Sequence, residues 1–191
     1  MVPMIRDAPA TKARILEAAG VEFAAHGLAG ARVDRLAGLA GANKERIYAN
    51  FGSKEALFDA TVAANIEELL DTVPFDAEDL PGYAVRMFDF TLAHPQLVRL
   101  ALWHGLERPG MLEQLPQSVE STVRKVESLV AAQRAGLVDD TLPPERLITV
   151  VLGLVYAGLI LSPPVDDANE IAAQRETLRV AVSRVTAPRA G

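Results

Sequence analysis

The 191-residue sequence contains no cysteine. This absence excludes disulfides, thiolate zinc sites and cysteine nucleophiles, and it agrees with a reducing compartment. Histidine is scarce, with only three residues. These three lie far apart in the chain and have no acidic partner at metal-ligand spacing, which disfavours a metal site. Phosphate-binding glycine loops, G-x-S-x-G and H-E-x-x-H motifs are also missing. We therefore disfavour an enzyme or a metal sensor, and we expect no catalytic residue, no metal and no cofactor.

Long uninterrupted apolar runs are missing as well. The longest, residues 147–161, is interrupted by two glycines, a threonine and a tyrosine, and it falls short of the roughly 20 residues that a membrane span needs. The first fourteen residues have no apolar core of the kind found in secretory signals. We expect no membrane association and a cytoplasmic location.

The composition indicates a folded and helical chain. Half of the residues are hydrophobic and 23% are charged, which is typical of globular proteins. We find no internal repeat and no strand-like alternation of useful length. Apolar residues recur instead at helical spacing. This periodicity predicts nine helices, at about 10–26, 33–40, 44–50, 54–72, 79–93, 95–106, 117–135, 144–161 and 168–186.

Charge is distributed unevenly along the chain. Residues 1–54 carry eight Lys and Arg against five Asp and Glu, a net charge of +3, while the remainder carries a net charge of −9. A small basic segment joined to an acidic body favours a polyanionic partner for the basic segment.

Residues 30–54 predict two short helices around a tight turn. Gly41 is placed to end the first helix, because glycine adopts a positive φ without steric cost. Asn43 is a favourable N-cap for the second helix, in which only Ile47 is expected to face inward. The first helix presents one apolar stripe, formed by Val33, Leu36, Ala37 and Ala40. A short helix, a glycine turn and a second helix with a polar outer face are typical of a DNA-binding helix-turn-helix.

The segment Ala42–Phe51, followed by Ser53–Leu57, resembles the signature of the TetR family of bacterial transcriptional regulators, and residues 11–27 resemble the first helix of that family. The resemblance covers roughly residues 10–60. It implies an all-α protein with a three-helix DNA-binding head over residues 1–53 and a helical ligand-binding and dimerisation body over residues 54–191. It also implies a ligand-responsive repressor that binds a palindromic operator in double-stranded DNA as a homodimer. The alternative is a DNA-binding regulator without a small-molecule effector.

The second helix of this motif carries the predicted DNA contacts. Lys44 and Arg46 have the donors needed for guanine O6 and N7 or for phosphate. Glu45 is able to accept from cytosine N4 or to repel phosphate, and it stands where the family often has a small residue. Tyr48, Asn50 and Lys54 match family positions that meet the phosphate backbone. The full predicted set is Arg32, Arg35, Asn43, Lys44, Glu45, Arg46, Tyr48, Ala49, Asn50 and Lys54.

Two further surfaces are predicted in the body, each with a plain alternative. Helix 8 is apolar nearly all round, which fits either a dimer interface with helix 9 or a buried core helix. The resemblance favours the dimer. An aromatic and methionine-rich set fits either ordinary core or a pocket, and the resemblance favours a pocket for an apolar or aromatic effector. That set is Tyr83, Met87, Phe90, Trp103, His104, Met111 and Tyr156.

Overall fold

The computed structural model describes residues 8–111, 114–161 and 167–188, and within them it contains nine α-helices and no β-strand. The all-α prediction is confirmed, and the helix limits agree with the predicted ones to within a residue or two, except for α1. The helices are α1 Ala8–Gly30, α2 Val33–Ala40, α3 Lys44–Phe51, α4 Lys54–Thr72, α5 Leu80–Ala93, α6 Pro95–Glu107, α7 Pro116–Arg134, α8 Pro144–Leu161 and α9 Ala168–Thr186.

The chain divides into two compact units. The first unit comprises Met1–Glu68 and His94–Ser118, and the second comprises Leu69–Ala93 and Val119–Gly191. Helix α4 continues from the first unit into the second, and α6 packs against α1 within the first. The predicted boundary between residues 53 and 54 follows the motif rather than the packing, and it stays a prediction.

The first unit has its own apolar core. Ile15 and Phe23 of α1, Leu36 of α2, Ile47 of α3 and Phe58 of α4 are each at most 1% exposed. The rings of Phe23 and Phe58 lie 4.7 Å apart between centroids. Burying one such side chain stabilises the fold by about 1.5–3 kcal/mol. This core therefore fixes α3 through the buried Ile47, and Phe51 at the end of α3 packs against it, partly buried.

Helix α1 is interrupted at Gly27. The helix predicted over residues 10–26 does end there, because Gly27 has a non-helical conformation (φ 65°, ψ −177°), and a further helical turn follows as far as Gly30. This further turn is held against α6. The Glu107 carboxylate accepts the backbone N–H groups of Leu28 and Ala29, and the Trp103 ring lies against Gly27.

A polar cluster joins α4 to α6 within the first unit. Asp59 of α4 accepts hydrogen bonds from His104 Nε2 at 3.1 Å and from Arg108 Nε at 3.0 Å. The His104 side chain is fully buried, and its ring lies 5.3 Å from that of Phe58. These charge-assisted hydrogen bonds link the two helices, and they are only partly shielded from water, because Asp59 and Arg108 are 20% and 26% exposed.

In the second unit, α5 packs against both α8 and α9. Its inward side chains include Tyr83, Met87 and Phe88, while Leu129 of α7 is fully buried. An ion pair from Arg175 of α9 to Asp89 of α5, with 2.5 Å between Nε and Oδ1, lies at the edge of this packing. None of the helices in the described part of the chain combines the length and the apolar composition that a membrane span requires.

Candidate DNA-binding interface

The turn between α2 and α3 is closed by backbone and side-chain hydrogen bonds. Gly41 adopts the left-handed conformation (φ 58°, ψ 37°), and the N–H of Ala42 reaches the Ala37 carbonyl at 3.0 Å. Asn43 Oδ1 then accepts the backbone N–H of Arg46 at 2.9 Å, which caps α3. The predicted roles of Gly41 as helix stop and Asn43 as N-cap are confirmed. The turn thereby sets the direction in which α3 leaves α2.

Helix α3 presents one buried residue and a broad exposed face. Ile47 is 1% exposed, and the side chain of Tyr48, the next residue, is 42% exposed. The other exposed members of the predicted set on α3 are Lys44, Glu45, Ala49 and Asn50. This arrangement leaves a side of the helix about two turns long available for a partner.

Lys44 is engaged by a carboxylate of the preceding helix. Its Nζ lies 2.7 Å from Asp34 Oδ1. The hydrogen bond to Asp34 is the main reason why the pKa of Lys44 lies above its usual value. Both side chains are well exposed, so the pair lies at the surface where a phosphate would compete with Asp34 for the ammonium group.

Glu22 of α1 accepts hydrogen bonds from residues at the start of α2, and it was not among the predicted site residues. Its side chain is 3% exposed, and its Oε1 accepts from Arg35 Nη2 at 2.6 Å and from the Arg32 backbone N–H at 2.8 Å. Burial raises the pKa of Glu22, but the Arg35 and Arg32 hydrogen bonds outweigh it, so the pKa lies below the usual value. An acidic residue beside Phe23 in the buried stripe of α1 was the available signal.

The remaining predicted residues divide by their partners. Asn50 Nδ2 donates to the Arg46 carbonyl at 2.7 Å, and Lys54 Nζ donates to the Ala31 carbonyl at 3.3 Å. Arg46 instead lines a groove of about 400 Å³ together with Arg14 of α1 and the backbone of the turn. Arg14 was absent from the predicted set because it lies thirty residues before α3, and only the fold brings the two guanidinium groups to one groove. All contacts to DNA stay predictions.

The seven predicted effector residues do not all belong to one unit. Four of them, Tyr83, Met87, Phe90 and Tyr156, lie in the second unit. Trp103, His104 and Met111 lie in the first, where Trp103 packs on its core and His104 binds Asp59. Assignment of this set to a pocket stays a prediction.

Two short helices joined by a glycine turn, with a polar second helix supported by a small core, define the helix-turn-helix class of DNA-binding proteins. Two family models match the chain. The model described as bacterial regulatory proteins, tetR family, matches residues 15–61, and the one described as tetracyclin repressor-like, C-terminal domain, matches residues 79–184. The chain belongs to the TetR family, and it is a DNA-binding transcriptional regulator.

Individual relatives agree with this assignment. The chain is 42% identical over 159 residues to the HTH-type transcriptional repressor SCO4008 of Streptomyces coelicolor, with 82% of each chain covered. It is 26% identical over 164 residues to the HTH-type transcriptional repressor NicS of Pseudomonas putida, covering 79% of this chain and 76% of that one. Among solved structures, the one assigned as the regulator SCO4942 of Streptomyces coelicolor has a TM-score of 0.77 at 33% identity, with coverage of 94% and 99%.

Proposed function

We propose that this regulator represses transcription by binding a palindromic operator as a homodimer, and that a small molecule bound in the second unit releases it. The observation that supports the DNA contact best is the exposed face of α3, which Ile47 and the Asn43 cap hold in a fixed orientation. The sign of regulation is taken from SCO4008 and NicS, which are both described as repressors.

The proposed contacts divide into base-reading and phosphate-binding residues. Lys44, Glu45 and Arg46 lie in the first turn of α3, where side chains of a recognition helix reach base edges. Tyr48, Asn50 and Lys54 are assigned to phosphate, which positions the protein without reading sequence. We add Arg14 to this second group because it lines a groove beside the start of α3, where its guanidinium group would meet a phosphate while Arg46 reaches a base.

The homodimer is proposed to form through α8 and α9. Val150 of α8 and Val180 of α9 are 39% and 37% exposed, although both are apolar. A groove of about 250 Å³ lies between these helices and α5, lined by Leu154 and Ala181 among others. Gly153 is exposed, and an added Cβ would meet no atom within 4 Å. A second copy of the chain would cover these groups. An arginine at position 153 would obstruct that contact, so we expect Gly153→Arg to sediment as a monomer in analytical ultracentrifugation.

The effector is proposed to bind near the aromatic and methionine side chains predicted for the pocket that lie in the second unit, namely Tyr83, Met87, Phe90 and Tyr156. Helix α4 is one of three places where the chain passes between the units, and it continues without interruption from the first unit into the second. If the effector binds one arrangement of α4 more tightly and DNA binds another, each ligand lowers the affinity of the protein for the other, and this mutual change is the coupling free energy. No catalytic role is proposed, and an operator-binding protein is expected to work in the cytoplasm.

The decisive experiment is an anisotropy titration of the purified protein against DNA from upstream of its own gene. A scrambled duplex of equal length is titrated beside it, over several salt concentrations. Tighter binding to the native duplex, weakening as salt rises, is the expected result. Equal affinity for both duplexes, or no binding at low salt, would contradict sequence-specific binding at that site.

A further inference from the structure

A lysine of the second unit lies against two aromatic rings. Lys125 of α7 is half-buried, with its Nζ 5.8 Å from the ring centroid of Tyr83 and 5.9 Å from that of Phe75. The two rings meet edge to face, 4.9 Å apart at an interplanar angle of 80°. The rings attract the ammonium group, but they replace only part of the water that it has lost.

Lys125 has no counter-ion among the described residues. No carboxylate in that part of the chain lies within 4.0 Å of its Nζ, whereas nine other basic side chains, two of them histidines, form such pairs. Burial lowers the pKa of Lys125, and the adjacent charge of Arg124 lowers it further. A partly dehydrated cation without an anion is an unfavourable arrangement that a bound anion would relieve.

A second unsatisfied donor belongs to Arg86, one turn from Tyr83 on α5. Its Nη1 donates to Asp79 Oδ2 at 3.3 Å, but its Nε is buried and has no hydrogen-bond acceptor in the described part of the chain. A buried, unpaired donor of this kind costs free energy unless a ligand or water accepts from it.

Tyr83 and Tyr156 supply neutral phenol groups to the same cluster. Burial raises the pKa of Tyr83; the nearby Tyr156 adds to this effect, and the charge of Arg86 opposes it. Burial likewise raises the pKa of Tyr156. Both hydroxyl groups therefore stay protonated at neutral pH. Tyr83 is thus the common neighbour of Lys125, Arg86 and Tyr156.

We infer that Lys125 and Arg86 form an anion-binding site between α5 and α7, and that the effector of this regulator is a small aromatic carboxylate. The carboxylate would accept from Lys125 Nζ and Arg86 Nε, while its ring would pack against Phe75 and Tyr83. A cationic ligand would be repelled by the positive charges of Lys125 and Arg86. A neutral ligand would not neutralise either charge. This inference rests on the proposal that the second unit binds an effector.

The test compares three ligands of matched shape by calorimetry on the full-length protein: 1-naphthoate, 1-naphthamide and 1-naphthylmethylammonium. We expect 1-naphthoate to bind about tenfold or more tightly than the amide, as a charge-assisted hydrogen bond allows, and the ammonium compound to bind weakest. Lys125→Met should remove the preference for the carboxylate, whereas Lys125→Arg should keep it.

Arg124→Met is the matched control, because it removes the same charge one residue away. The Arg124 side chain is 63% exposed and pairs with Glu120 at 2.8 Å, so the preference should persist in this variant. Circular dichroism establishes that each variant is folded. Retention of the preference in folded Lys125→Met, equal binding of the three compounds, or no binding of 1-naphthoate at millimolar concentration would each overturn the inference.

The outcome is separable from that of the proposed function, because calorimetry requires no DNA. A protein that prefers 1-naphthoate through Lys125 but keeps its operator when the compound is added would retain the anion site and lose the proposed release mechanism. A protein that binds its operator and shows no charge preference would lose only the anion site.

Discussion

The Lys44 ammonium group on α3 lies 2.7 Å from the Asp34 carboxylate on α2, at the surface proposed to meet DNA. The pair links the two helices of the motif, but an exposed ion pair contributes little to stability. Its main consequence concerns binding. A phosphate or a guanine must share Lys44 with Asp34, and Asp34 itself repels the DNA backbone.

Asp34→Asn should therefore tighten DNA binding. We expect a gain of about two- to tenfold at low salt, larger on the native than on the scrambled duplex, because the freed ammonium group is assigned to a base edge and also releases one more counter-ion near the DNA. Anisotropy titrations over a range of salt concentrations measure both the gain and the steeper salt dependence. The same substitution in a Lys44→Met background is the control. An identical gain in both backgrounds would show that Asp34 acts on DNA independently of Lys44.

Glu22→Gln should destabilise the first unit at neutral pH. The neutral amide cannot form the charge-assisted hydrogen bonds to Arg35, so we expect a loss of about 1.5–3 kcal/mol in the free energy of unfolding. Urea denaturation near neutral pH measures the loss. Glu17→Gln, on an exposed position of the same helix, is the matched control and should change stability by less than about 0.5 kcal/mol.

The effect of Glu22 on stability should also depend on pH. Its pKa is lower in the folded protein than the ordinary value of 4.5, so its charged form stabilises the fold above that value. This contribution is lost as the pH falls through the depressed pKa. The difference in stability between wild type and Glu22→Gln should therefore shrink toward pH 3 or so, relative to pH 7. A difference that stays constant over this range would show that Glu22 is not the titrating group.

Local features of the motif were predictable from sequence, whereas its long-range supports were not. Gly41 and Asn43 act on backbone groups within five residues, so their roles follow from residue type and position alone. The ion pairs of Glu22 with Arg35 and of Asp59 with Arg108 join residues 13 and 49 positions apart. Periodicity predicts that such residues lie on helices, but it contains no information on which helix faces which.

The same limit affected the predicted pocket. Tyr83 and Trp103 have similar residue types at helical spacing, so one aromatic set was predicted from both helices. The fold places Tyr83 in the second unit and Trp103 beside Gly27 in the first. The contact with Gly27 depends on a backbone bend in α1, which helical periodicity does not predict.

Arg14→Ala should weaken DNA binding without changing sequence preference. If Arg14 binds phosphate, native and scrambled duplexes should lose affinity by the same factor, and the slope of log K against log salt should fall by about 0.9. Anisotropy titrations at several salt concentrations give both values. Lys54→Ala, assigned to phosphate as well, should behave in the same way. Loss confined to the native duplex would instead place Arg14 on a base.

Arg46→Ala should differ from Arg14→Ala, although both side chains line one groove. A base contact by Arg46 is worth about 1–3 kcal/mol, and its loss should relax the preference at one operator position. Competition binding against operators carrying single base changes measures this preference. Unchanged affinity and unchanged preference would remove Arg46 from the interface.

Gly27→Ala should destabilise the first unit, whereas Gly38→Ala should stabilise it. An added Cβ at Gly27 would lie 2.9 Å from Trp103 Cε3, and the backbone there (φ 65°, ψ −177°) lies in a region essentially confined to glycine, which alone costs alanine roughly 1–3 kcal/mol. Gly38 lies within α2, and an added Cβ would meet no atom within 4 Å, so alanine should add about 0.5–1 kcal/mol through its helix propensity. Chemical denaturation of both variants measures their free energies of unfolding for this comparison.

Trp103→Leu in the Gly27→Ala background should restore only the steric part of the lost stability, because the backbone strain at residue 27 remains. Full restoration would mean that contact with the Trp103 ring, rather than the positive φ, is what requires glycine at this bend.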